Sequence, residues 1–127
     1  IIAENGLENR VSFENRWITD QEKFDTFAHC LASAYLPMDE DSFGYPTLEA
    51  AHSCKPSLTA IDSGGVLEFV EDGCNGNVCQ PDPVDLADKM DQLYMDKAKT
   101  KNMGIEAREK IGELQISWTH VLEKLLK

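Results

Sequence analysis

The chain has 127 residues, 23 acidic and 12 basic, with a formal net charge of -11. That length suffices for one domain with a core, and no cluster of Lys and Arg exists to neutralise phosphates, which excludes nucleic acid as a partner. No stretch approaches the roughly 20 apolar residues of a membrane span, no signal segment opens the chain, and the Ile1-Ile2 start is expected to be a boundary within a longer polypeptide.

In chain order, Val11-Ser12-Phe13 is expected to form a short strand. Thr19 and Glu22 have the spacing of a capping box, and Phe24, Phe27, Ala28 and Leu31 continue it at helical intervals. Cys30 to Pro37 is an almost unbroken apolar run, expected to be a buried parallel strand up to Leu36. An acidic loop, Met38 to Gly44, leads to a helix with Pro46 in its first turn, running to about Ser53. Ser57 to Ile61 is a second buried strand, adjacent and parallel to the first. The turn Asp62-Ser63-Gly64-Gly65, a short helical piece from Val66 to Val70, a second turn and a strand from Asn77 to Gln80 follow. Helices close the chain. Asp82 and Pro83 open one with Leu86, Met90, Leu93 and Tyr94 on one face; Asn102 to Gly112 is another, weakened by Gly104; Ser117 caps a third carrying Trp118, Val121, Leu122 and Leu125. The alternation defines an α/β class with a parallel sheet flanked by helices, Rossmann-like, and short of strands at its N-terminal side.

Of the four cysteines, Cys30 and Cys54 read as small core residues. Cys74 and Cys79 flank a turn where a disulfide is geometrically open. Their spacing matches neither a zinc module nor a secreted disulfide scaffold, and reduced thiols are expected.

In a doubly wound sheet, ligands bind beyond the carboxyl ends of the strands. Two loops leave such ends: Asp39-Glu40-Asp41-Ser42-Phe43-Gly44-Tyr45 and Asp62-Ser63-Gly64-Gly65. Each is expected to run into a helix N-terminus with free amides. Gly44, Gly64 and Gly65 allow close backbone approach to a phosphate, and Glu49, one turn into its helix, can accept from a ribose diol. Singly, these are a turn, a solvated loop and a dipole-complementing acid. Together at one sheet edge they suit a small polar ligand.

The stretch Asp39 to Pro56 resembles the signature of retaining glycosyltransferases of family four, enzymes with two Rossmann-like domains facing a cleft. The family pattern is an acid, seven residues, a Glu, then Ala and a small-residue stretch ending Gly-x-Pro. Asp41 and Glu49 have that spacing, with Asp41 in place of the usual Glu and Cys54 where Gly is usual. Ser63-Gly64-Gly65-Val66-Leu67-Glu68 and Asp72-Gly73-Cys74-Asn75-Gly76 resemble two further family motifs, and Pro81 through Trp118 looks like its closing helices.

The resemblance implies that residues 1–127 are a C-terminal donor-binding domain lacking its first strand and helix. Asp41 would be the catalytic acid position, bonding the transferred sugar. Phe43, Gly44 and Tyr45 would present amides to sugar and diphosphate, Glu49 would hold the ribose, and Gly64 and Gly65 would shape the loop beside the donor. Glu68 would support that loop. The donor is a nucleotide-diphosphate sugar, with no further cofactor and no metal. A glycan or lipid-linked acceptor would bind the missing N-terminal domain, in the cytoplasm or at the inner face of a membrane. The Arg and Lys that neutralise the diphosphate in the family belong to the missing segment, and Lys55 is the single basic residue in the site segments. The isolated chain is therefore expected to transfer no sugar. Two other classes fit parts of the sequence. Asp39-Glu40-Asp41 matches the Asp-x-Asp of metal-dependent transferases, which chelation would inactivate. An α/β interaction module with an acidic loop would show no heat on titration with nucleotides.

Overall fold

The computed structural model describes all 127 residues, Ile1–Lys127. After a 3-10 turn at Ala3–Asn5, helix α1 spans Asp20–His29, strand β1 Ser33–Ala34, helix α2 Tyr45–His52, and strand β2 Ser57–Ala60. A second 3-10 turn, Gly65–Glu68, leads to strand β3, Gly76–Cys79, and then to helices α3, Pro83–Met95, α4, Lys97–Glu113, and α5, Trp118–Leu125. The three strands form one parallel sheet in the order β1-β2-β3.

Side chains alternate across the sheet as strand geometry requires. Leu58, Ala60 and Cys79 face a cluster completed by Leu93 of α3 and Met103 of α4. On the other face Val78 packs against Ala51 of α2, Val66, Phe69, Val70, and Ala107 and Ile111 of α4. All four residues of β2 are buried, as expected of a central parallel strand.

The capping box of α1 is complete. Thr19 Oγ1 accepts from the Glu22 amide, and the Glu22 carboxylate accepts from the Thr19 amide at 2.8 Å. Hydrogen bonding from Arg16 first, and then from Thr19, pulls the Glu22 pKa down to about 2. Asp82 caps α3 through the amides of Val84 and Asp85, and Ser117 caps α5 through that of His120.

Several expectations are corrected. Val11-Ser12-Phe13 is not a strand, and Phe13 is 76% exposed. A strand needs a neighbour, and the sheet ends at β1. The run from Cys30 to Leu36 is a strand only at Ser33–Ala34 and is not buried, because β1 is an edge strand with one side unpaired. The piece after Gly65 is a four-residue 3-10 turn, so the second loop meets no α-helix N-terminus. The helix expected over Asn102 to Gly112 begins earlier, at Lys97, capped by Asp96. Cys54 is exposed rather than part of the core, and all four thiols are free. The apolar stripe of α5 buries no residue, leaving Trp118 and Leu125 in solvent.

Candidate functional site

Both predicted loops meet at the carboxyl end of the sheet. The Asp39 amide donates to the Asp62 carbonyl oxygen, and the Gly65 amide to the Glu40 carbonyl oxygen. This close contact is what the two glycines permit. A Cβ on Gly64 would lie 2.5 Å from the Glu40 carbonyl oxygen, and one on Gly65 would lie 2.9 Å from that of Ser42. Their place in the fold is therefore the junction of the loops. The Gly65 amide is already engaged there, so it is not free for a phosphate.

Within the first loop the acids have different surroundings. Glu40 turns inward and accepts from the Tyr35 hydroxyl at 2.8 Å and from the Ser42 hydroxyl at 3.2 Å, and the Ser42 Oγ in turn accepts from the Gly44 amide. The Tyr35 hydrogen bond, followed by that of Ser42, holds the Glu40 carboxyl below its ordinary range and raises the Tyr35 phenol. Gly44 lies over the Tyr35 ring with φ +72, where a side chain would be strained and would clash. Asp41 points outward. With Ser42, Phe43, Gly65 and Glu68 it lines a cleft of about 210 Å³. Phe43 is anchored from below by Phe69, ring centroids 6.2 Å apart. No three carboxylate, imidazole or thiol groups converge in a way that could hold a metal ion.

Gly44 is the N-cap of α2, whose first two turns carry Tyr45 and Glu49. These two line a second, largely apolar groove of about 550 Å³ with Leu48, His52, Trp118 and Val121. Phe43 and Tyr45 make no backbone hydrogen bond with their amides, so two donors remain open at the start of α2. Glu49 is half-buried and accepts from Lys23 Nζ at 2.6 Å, a bond that raises the Lys23 pKa. The structure thus gathers Asp41, Phe43, Gly44, Gly64 and Gly65 around one loop junction, with Tyr45 and Glu49 on the adjoining turn of α2.

Sequence reasoning missed Lys23, Tyr35, Glu40 and Ser42. Lys55, its single cation, donates instead to the Ala28 carbonyl oxygen. Lys23 lies 26 positions before Glu49, and no local pattern links them. The acid next to Asp41 was visible, but only the backbone course decides which of two adjacent acids turns inward.

A parallel sheet with a glycine-bearing loop junction at its carboxyl edge defines a Rossmann-like architecture. The family model for glycosyl transferases group 1 matches residues 1–110, and the chain belongs to that family. It is similar to the alpha-1,3/1,6-mannosyltransferase ALG2 of Dictyostelium discoideum, 34% identical over 110 residues, which cover 87% of this chain and 26% of that protein. The mouse protein of the same name is 30% identical over 113 residues, 89% of this chain and 26% of its own length. The chain therefore spans about a quarter of these relatives. Among solved structures, Anabaena Alr3699/HepE in complex with UDP superposes with a TM-score of 0.81 at 29% identity, covering 98% of this chain and 34% of that one. Sucrose-phosphate synthase from Thermosynechococcus elongatus shares the fold, with a TM-score of 0.77 at 22% identity over 98% of this chain and 30% of its own.

Proposed function

We propose that this chain is the C-terminal, donor-binding part of a retaining glycosyltransferase that transfers a hexose from a nucleotide-diphosphate sugar to a glycan or lipid-linked acceptor. The observation that carries the reading is a carboxylate on each side of the α2 N-cap in the chain. Asp41 lines a small cleft, Glu49 lines a second groove along α2, and the Phe43 and Tyr45 amides, which fall between them in the sequence, carry no backbone hydrogen bond. Asp41 bonds the transferred sugar, the amides and the dipole of α2 meet the diphosphate, and Glu49 accepts from the ribose hydroxyls. Gly64 and Gly65 let the second loop close against the first and so fix Asp41. Glu68, at the far wall of the cleft, supports it.

The same reading assigns the acceptor, and the cations that neutralise the leaving diphosphate, to the remainder of the polypeptide. Holding donor and acceptor in register contributes roughly 7 to 11 kcal/mol in well-oriented systems, and developing charge on the diphosphate needs preorganised positive groups. No helix of this chain is long and apolar enough to cross a membrane. The cytoplasm, with the inner membrane face for a lipid-linked acceptor, is the compartment that fits such a donor.

The test is calorimetric and kinetic, in the full-length protein. Glu49→Gln should weaken nucleoside diphosphate binding on the order of tenfold to hundredfold, the equivalent of one charged hydrogen bond. Asp41→Asn should retain nucleotide binding and lose turnover. Unchanged nucleotide affinity in a folded Glu49→Gln protein would refute the ribose role.

A further inference from the structure

Helix α1 is tied to the rest of the domain by few groups. None of its ten residues is buried. Its cap joins Thr19, Glu22 and Arg16 to one another, not to the sheet. Lys55 reaches it from the body, donating to the Ala28 carbonyl oxygen. From α1 itself a single charged side chain reaches across. Lys23 Nζ lies 2.6 Å from Glu49 Oε1 and 3.6 Å from Asp20 Oδ1. The Lys23 and Glu49 side chains are 29% and 36% exposed, shielded enough to hold the pair in place and open enough for a ligand to reach the carboxylate.

We propose that Lys23 is a positioning residue for donor binding. Its ammonium fixes one oxygen of Glu49 and keeps the carboxylate oriented toward a ribose diol. The inference rests on the reading of Glu49 as the ribose acceptor. A carboxylate offers about four acceptor sites. The ammonium takes one of those on Oε1, and two hydroxyls can share the rest. The orienting role follows from the geometry. A free Glu side chain samples many rotamers, and a bond to a lysine stem that is itself largely covered removes most of them. Lys23 therefore acts through Glu49 and touches no reacting atom.

The experiment uses the full-length protein and compares UDP with 2′,3′-dideoxy-UDP, and GDP with its dideoxy form, by calorimetry. The wild type should prefer the ribonucleotide. Lys23→Met should weaken ribonucleotide binding about tenfold and leave the dideoxy form unchanged. Lys23→Arg should restore most of the preference, and Lys23→Met should have no further effect in a Glu49→Gln background. Lys23→Gln, nearer in length and polarity, serves if Lys23→Met does not fold. A folded Lys23 variant with the wild-type preference would overturn the proposal while leaving the ribose role standing. A wild type that binds both forms equally, or binds neither nucleotide, would instead overturn the Glu49 reading and the proposal with it.

Discussion

Cys54 has φ +54, a left-handed conformation that costs a residue with a Cβ roughly 1 to 2 kcal/mol. It follows the C-cap of α2, and two backbone bonds close the helix end around it. The Cys54 amide donates to the Ala51 carbonyl oxygen and the Lys55 amide to that of Ala50. This is the position where the resemblance expects Gly. The Cys54 side chain is exposed and loses little by removal. Cys54→Gly should therefore stabilise the protein, by about 0.5 to 1 kcal/mol once the flexibility of Gly in the unfolded chain is subtracted. The urea midpoint of the purified variant checks this, and a lower midpoint would mean that the Sγ makes a contact worth more than the strain. Ser63 shows the opposite case. The sequence marks it as a turn residue, yet it is fully buried, accepting from the Thr59 hydroxyl and the Ala60 amide. A turn propensity could not reveal that, because burial depends on which elements cover the turn.

Gly104 illustrates how an element obeys its neighbour over its own propensity. Mid-helix glycine costs about 1 kcal/mol relative to Ala, and from sequence it only weakens α4. In the fold α4 crosses the end of α2 there. A Cβ would lie 2.1 Å from the Cys54 carbonyl oxygen, which is backbone and cannot swing aside. Gly112, in the same helix, faces open space. Gly104→Ala should thus destabilise despite its better propensity, by about 1 to 3 kcal/mol, as overpacking does. Gly112→Ala should stabilise by up to about 1 kcal/mol. Thermal unfolding of the two variants side by side decides it. Equal effects would show that α4 can shift away from α2 freely. Caps were legible in the sequence for the converse reason: Thr19 with Glu22, Asp82 and Ser117 each act on amides two or three residues away.

Across the whole molecule, stability is distributed unevenly. No residue before Ser33 is buried, and Trp17 is 95% exposed. The buried clusters lie on β2, β3, α2, α3, α4 and the segment from Val66 to Val70. Local opening free energies range from near zero up to the global value. Native-state hydrogen exchange should therefore deuterate the amides of Asp20–His29 well before those of Ser57–Ala60 and Gly76–Cys79. Equal protection would mean that α1 unfolds only with the core. The same unevenness bears on the proposed site, since Lys23 on the loosely packed α1 reaches Glu49 on the well-packed α2.

The sequence by itself determined the order of helices and strands from α1 onward, the parallel pairing of β1 with β2, and the caps of α1, α3 and α5 at Thr19, Asp82 and Ser117. Those features follow from hydrophobic period, capping chemistry and spacing, all of which act over a few residues or one strand-helix-strand unit. Tertiary structure alone decided that β1 is a short exposed edge, that Glu40 and not Asp41 turns inward to Tyr35, and that Lys23 meets Glu49. Each of these joins groups whose separation in the chain carries no pattern, or depends on whether a neighbour covers a surface. Such contacts exist only once the elements have packed.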